Sequence, residues 1–310
     1  MLHIFKLIRY QNLLMLAFMQ LIFRYGFLKL QNVPLALADW QYILFVLSTV
    51  CIAAGGYIIN NIFDQETDSD NKPNKIIVGK HISESMAYNY YAGFTVIGVA
   101  LGFYLSNVIL KPGFSAIFII MAATLYLYAT SMKQSLLIGN VIVALLLAFS
   151  VVLIGIFDLF PATYEENRPR MGVLFGILLD YGIFTFLINF IREIVKDLED
   201  VNGDYNQGMS TLPIVMGIQR TTMIVFALSF IPILAIIYYL KFYVFTADLM
   251  FSAIFAIIFI LAPLFYFSVK IWSAKKQNDF KHLSTVLKWI MFFGILSILV
   301  ISLNMKHNAG

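Results

Sequence analysis

The sequence predicts an all-α, polytopic membrane protein with nine transmembrane helices, and three observations carry that prediction. The 310-residue chain is 61% hydrophobic and 12% charged, with a mean hydropathy of +0.85. An average globular chain is roughly 45–50% apolar and about 25% charged, so this apolar share is too large to hide inside one or two soluble domains. Residues 40–63, 85–110, 112–132, 134–157, 221–240, 249–269 and 289–305 contain no Asp, Glu, Lys or Arg. Most of these runs reach or approach the roughly 20 residues that cross about 30 Å of hydrocarbon as a helix.

Taken in order, the spans are read at about 10–28, 40–62, 86–107, 113–131, 137–157, 171–195, 221–240, 247–269 and 285–304. The N-terminal stretch carries Lys6 and Arg9 before its apolar run, as a signal peptide does. It lacks a small-residue cleavage site and continues towards Leu28, so it is expected to be the first membrane helix. No Gly-, Pro- and Ser-rich linker divides the chain, and residues 1–310 are expected to form a single transmembrane domain. The one cysteine, Cys51, excludes an intramolecular disulfide, and a net charge of +4 gives no sign of a nucleic-acid partner.

Nine spans put the N-terminus and the polar intervals 64–84, 132–136, 196–220 and 270–284 on one side. Counted with Arg192 and Lys288 at the flanking span ends, that side holds 14 of the 21 Lys and Arg residues, which by the positive-inside bias places it in the cytoplasm and the C-terminus outside. Ten acidic residues are packed into two intervals there: Asp64, Glu66, Asp68, Asp70 and Glu84, and then Glu193, Asp197, Glu199, Asp200 and Asp204.

If the second helix continues through the first cluster, Asn60, Asp64 and Asp68 recur every four residues and share a face, with Asn61 at its edge. In the second, Asp197, Asp200 and Asp204 stand at i, i+3 and i+7 and again form one stripe. Stacked carboxylates repel, but a hard divalent cation reverses the sign. Mg²⁺ takes carboxylate and amide oxygens and shares them with substrate phosphates. Two such faces across a central cavity open near the cytoplasmic side would hold Mg²⁺ with a diphosphate between them. The metal ligands read from this spacing are Asn60, Asp64, Asp68, Asp197, Asp200 and Asp204. Solvated helix caps at the membrane surface are the plainer alternative.

The stretch Asn60 to Asp68 resembles the NDxxDxxxD motif of the UbiA superfamily of intramembrane prenyltransferases, and Asp200 to Asp204 resembles its second motif, DxxxD. Arg9 with Asn12, Lys72-Pro73 with Gly79, Gly139-Asn140, and Gly208 with Thr211-Leu212-Pro213 fit the same pattern. Two departures stand out. Asn61 replaces the usual second-position Asp, and the YxxxK pattern appears as Tyr128 to Lys133, one residue longer. The run from Arg192 to Pro213 is most similar to the branch that makes geranylgeranyl ether lipids, whose members join geranylgeranyl diphosphate to geranylgeranylglycerol phosphate.

The resemblance implies Mg²⁺-dependent transfer of a polyprenyl group from its diphosphate through an allylic carbocation. Asp64, Asp68, Asp200, Asp204 and Lys133 would carry the chemistry, and Asn12, Asn60, Lys72, Tyr128, Arg192 and Lys196 would bind substrate. Cationic side chains beside the motifs would neutralise the leaving diphosphate. Among Lys72, Lys75, Lys133, Arg192 and Lys196, Lys133 and Arg192 stand at span ends from which they reach inward. If the acceptor carries its own phosphate, Lys72, Lys196 and Arg220 are candidates for it. Tyr57, Phe63, Tyr126 and Tyr128 are the aromatic residues nearest the motifs that would shield the cation.

Asp180 interrupts the sixth span far from the motifs and is expected to make a helix contact or lie near the outer boundary. The four histidines show no ligand spacing. Two alternatives stay open: an aromatic acceptor, as in quinone or chlorophyll-type pathways, and a divalent-cation transporter or channel. An acidic chain across the bilayer would favour the latter. Prenyl length, acceptor and oligomeric state also stay open.

Overall fold

The structure is a computed structural model that describes residues 2–65 and 76–308. Among the described residues, nine helices are long and apolar enough to span a membrane. A short helix α1 (Leu2–Leu7) precedes the first span, α2 (Tyr10–Gln31). The next five are α3 (Asp39–Phe63), α4 (Glu84–Val108), α5 (Pro112–Thr130), α6 (Ile138–Ala162) and α7 (Arg168–Asn206). A short α8 (Leu212–Met216) leads into α9 (Ile218–Val244), α10 (Met250–Ser273) and α11 (Gln277–Asn308).

Two apolar cores form, and α7 belongs to both. Its first half packs with α2, α3 and α6 around Phe23, Phe45, Phe157 and Leu178. Its second half packs with α9, α10 and α11 around Ile194, Leu264, Phe267 and Leu287. On the other side of the bundle α3 lies against α4 and α5. A Cβ on Gly98 would come within 2.9 Å of the Ser48 carbonyl oxygen, so only glycine allows α3 and α4 to approach this closely. The Ser48 hydroxyl donates to the Gly98 carbonyl at 2.6 Å across the same contact.

Helix ends differ from the sequence expectation where they matter most. The sixth span was expected to stop near 195, yet α7 continues for 39 residues, through the whole second motif. Nothing breaks it before Gly208, whose φ of +66° supplies the left-handed turn that ends a helix. The last helix begins at Gln277 rather than near 285, because Asp279 accepts the Lys276 backbone N–H at 2.9 Å and that of Lys275 at 3.1 Å. α3 stops at Phe63, so the expected helix through Asp68 is not seen in the described residues. Asp64 sits at the helix end, its N–H bonded to the Asn60 carbonyl at 2.9 Å.

Toward the far end of the bundle lies a buried ion pair. Arg24 Nη1 and Asp158 Oδ2 lie 2.6 Å apart, the residues 1% and 0% exposed. Each stands in a π-helical turn, Ile22–Phe27 and Gly155–Leu159. Asp158 Oδ1 also accepts the Leu37 N–H at 3.0 Å, and Arg24 donates to the Leu37 carbonyl at 2.5 Å. The connection before α3 is thereby pinned to α2 and α6.

Candidate active site

At the other end, a cavity of about 840 Å³ opens among the α1–α2 junction, the end of α3, the α5–α6 turn, the second half of α7 and the start of α11. Asn60 and Asp64 reach it from α3, and Tyr128 and Lys133 from α5 and the turn after it. Arg192, Lys196, Asp197, Asp200 and Asp204 reach it from α7, and Asn12 from α2. The structure thus brings the described part of the first motif, the second motif, and Asn12, Tyr128, Lys133, Arg192 and Lys196 to one cavity. Asp68 and Lys72 lie outside the described residues, as does Lys75.

Local folding explains how each functional group arrives. Lys133 lies in a tight turn that folds back on the start of α6. There a Cβ on Gly139 would meet the Lys133 Cα at 2.9 Å, so glycine is required for the approach. Leu137 takes a left-handed conformation, φ +58°, to complete the turn. The Lys133 ammonium then reaches Asp64, which also accepts a hydrogen bond from the Asn60 amide. The Ser210 N–H donates to the Gln134 carbonyl at 3.0 Å, tying the segment after the second motif to the same turn.

On α7, Asn140 at the start of α6 donates to Asp197 Oδ2 at 2.8 Å and fixes that carboxylate. Glu193, 7% exposed, holds Lys196 at 2.6 Å and lies 3.6 Å from Arg192 Nη1. Arg192 Nε donates to the Ser284 carbonyl of α11 at 3.4 Å. The Asn61 amide donates to the Tyr57 carbonyl at 2.8 Å and the Leu7 carbonyl at 3.3 Å, anchoring α1 to α3. Where the family pattern has a charge, this chain has a backbone clasp.

The oxygen-rich donor set of Asn60, Asp64, Asp197, Asp200 and Asp204 suits a hard cation. Among the described residues no three His, Cys, Asp or Glu side chains converge tightly enough to hold one ion by themselves. Mg²⁺ does not require that, since it takes one or two carboxylates plus substrate phosphates and water. Asn60 Oδ1 is buried with no hydrogen-bond partner, an acceptor oxygen whose desolvation a cation would offset. The residues present therefore fit Mg²⁺ brought with a diphosphate.

Some expected residues are placed elsewhere. Arg220 is exposed and does not line the cavity, so it is removed from the candidates for a second anion. Lys196 lines the cavity, but its charge is already matched by Glu193. Phe63 and Tyr126 are each 41% exposed and pack edge to face on one another rather than on the cavity. Asp180 lines a separate apolar cavity of about 290 Å³, away from the motifs.

Sequence reading missed Lys6, Lys281 and Lys288, which line the main cavity, and the stacking of His3 on His81, 4.0 Å apart. Partial burial, then His81 and Lys6, lowers the pKa of the His3 imidazole. Lys281 and Lys288 carry a signal, a seven-residue spacing that puts both on one face of α11, but an ordinary positive membrane flank has the same composition.

Beneath the charged chamber lies a smaller apolar cavity of about 110 Å³. It shares Asn12, Arg192 and Lys288 with the chamber, and Tyr181, Phe184 and Gly294 with the cavity that Asp180 lines. Polar head and apolar tail thus have adjoining spaces.

The chain matches the UbiA prenyltransferase family over residues 25–296. The digeranylgeranylglyceryl phosphate synthase of Korarchaeum cryptofilum is 30% identical over 84% of this chain and 86% of that protein. For other curated relatives of the same name, at 31–37% identity, the matched region spans 56–73% of their length. A solved structure described as giving structural and mechanistic insights into the biosynthesis of digeranylgeranylglyceryl phosphate synthase in membranes aligns over 98% of each chain, with TM-score 0.64 and 25% identity. A UbiA homologue from Archaeoglobus fulgidus bound to DMAPP and Mg²⁺ shares the fold at TM-score 0.60 and 17% identity, over 95% of this chain and 98% of that one. Because the family match begins in the first span and ends in the last, the chain as a whole belongs to the UbiA prenyltransferase family.

Proposed function

We propose that this prenyltransferase transfers a geranylgeranyl group from its diphosphate to the hydroxyl of geranylgeranylglycerol phosphate, with Mg²⁺ as cofactor. The observation that carries the reading is the single cavity in which Asp64 and Asn60 face the Asp197–Asp204 stripe, with an apolar cavity directly beneath. The names and contents of the relatives support the substrate class and the metal.

In the reaction the allylic C1–O bond breaks and its electron pair leaves with diphosphate. The acceptor oxygen then bonds to C1, and its proton passes to the released diphosphate. Asn60, Asp64, Asp68, Asp197, Asp200 and Asp204 would hold Mg²⁺, which would supply positive charge to the leaving diphosphate. Lys133 and Arg192 add fixed positive charge at that end, while Glu193 and Asn140 keep Lys196 and Asp197 in place. Tyr57 lines the apolar cavity and Tyr128 the chamber, where their rings would stabilise the cation, and the apolar cavity would keep water from it. Residues 1–310 act as one transmembrane domain. The chamber faces the cytoplasm and the C-terminus lies outside, a reading supported by the bias of Lys and Arg to one side.

The test is incubation of the purified protein with radiolabelled geranylgeranyl diphosphate and, in separate reactions, geranylgeranylglycerol phosphate, its dephosphorylated form and an aromatic acid, with and without a chelator. Metal-dependent labelling of the phosphorylated glycerol lipid is expected. Labelling of the aromatic acid alone would overturn the acceptor assignment.

A further inference from the structure

The charged chamber has two unlike walls. The acidic one is built by the ends of α3 and α7. The other is built by α11 and the α1–α2 junction, where Lys281, Lys288 and Arg9 face the same space. On α11, Lys281, Ser284, Thr285 and Lys288 fall at i, i+3, i+4 and i+7, so one helix face presents two ammonium groups to the cavity.

These cations differ from the rest of the lining. Lys133 is paired with Asp64, and Lys196 and Arg192 are grouped around Glu193. Lys281, Lys288 and Arg9 form no ion pair with any described residue. Lys288 donates only to an amide oxygen, Asn12 Oδ1, at 3.1 Å. Arg9 is held by a left-handed backbone, φ +50°, with its guanidinium 5.3 Å from the centre of the Tyr57 ring. A non-glycine residue in that conformation is strained, and such strain gathers where a side chain must be aimed. Two lysines with no ion pair among the described residues, with Arg9 beside them, form at the edge of a low-dielectric cavity a seat for a dianion that brings no metal of its own.

We infer that Lys281, Lys288 and Arg9 bind the phosphomonoester of the acceptor lipid. This rests on the reading that the acceptor carries a phosphate. The seat draws on cations of α11 and the α1–α2 junction rather than on the carboxylates of α3 and α7, and from it the acceptor hydroxyl would reach toward the diphosphate. The seat makes the cationic face of α11 a determinant of acceptor choice rather than of donor binding.

The experiment compares Lys281→Gln, Lys288→Gln and Lys288→Arg with the wild type. The readout is the ratio of kcat/KM for geranylgeranylglycerol phosphate to that for its dephosphorylated form, alongside KM for the diphosphate donor. Each Gln variant is expected to lower the ratio about tenfold, the size of one lost charge-assisted hydrogen bond, with donor KM moving less than threefold. Lys288→Arg, which keeps the charge, restores the ratio. Lys281 is exposed, so its variant reports even where Lys288→Gln folds poorly. An unchanged ratio in the Gln variants of an enzyme that does prefer the phosphorylated acceptor overturns this inference and leaves the acceptor assignment standing. A wild type that ignores both glycerol lipids and prenylates an aromatic acid overturns both.

Discussion

Lys133 and Asp64, 69 positions apart in the chain, form an ion pair at the head of the cavity, with side chains only 9% and 18% exposed. The carboxylate proposed to hold a metal therefore already has a positive partner. Under the proposed function, loading of a metal-diphosphate complex would be an exchange of partners, with Asp64 turning to the metal and Lys133 to the phosphate oxygens.

That exchange makes the two residues one functional unit. Asp64→Ala is expected to lower turnover by about a hundredfold or more, and Lys133→Gln by a similar order. The double variant should fall well short of the product of the two losses. Single-turnover assays on protein with normal helical circular dichroism measure the coupling, and strict multiplicativity would show that the pair is incidental.

Asn140 touches Asp197 and lies outside both acidic motifs. Asn140→Leu removes the side-chain amide that donates to that carboxylate among the described residues and should lower activity or apparent metal affinity about 10- to 100-fold. A Mg²⁺ titration of activity checks it, with a curve displaced to higher metal expected. A wild-type curve would mean that Asp197 does not serve the metal.

Gly294 stands where the two apolar cavities meet, and a Cβ there would lie 3.2 Å from Phe184 Cε1. Gly294→Leu should obstruct the passage, so that turnover of a C20 diphosphate falls by about tenfold or more relative to a C10 diphosphate, the penalty of overpacking a filled space. Equal effects on the two donors would place the long chain elsewhere.

Arg24 and Asp158 lie at the opposite end and should matter for stability alone. Removing one member of a buried pair costs about 3–5 kcal/mol, whereas replacing both by apolar groups costs far less. Thermal unfolding in detergent is expected to rank Asp158→Leu below the Arg24→Leu/Asp158→Leu double variant. The reverse order would refute the buried-charge explanation.

What the sequence made legible followed from composition and local spacing. Each of the nine spans overlaps the helix found, because an uncharged run of 20 residues has few other uses. The α7 stripe of Asp197, Asp200 and Asp204 is helical as its spacing required. The α3 stripe is described only as far as Asp64, at the helix end. What stayed hidden depends on tertiary neighbours. Lys281 and Lys288 have the composition of an ordinary membrane flank, and only the folding of α11 against α2 and α7 turns them to the cavity. Arg24 and Asp158, 134 positions apart, give no sign of meeting, whereas the Lys196–Glu193 pair, three residues apart on α7, follows from helical spacing alone.

The charged chamber opens at one end of the bundle, and the Arg24–Asp158 pair lies toward the other. In the proposed reaction both substrates enter by their head groups at the same membrane face, and the product's phosphate never leaves it. Every lipid made is thus delivered to a single leaflet. A membrane that grew by this reaction would expand on one side only, and populating the other requires a separate transbilayer carrier.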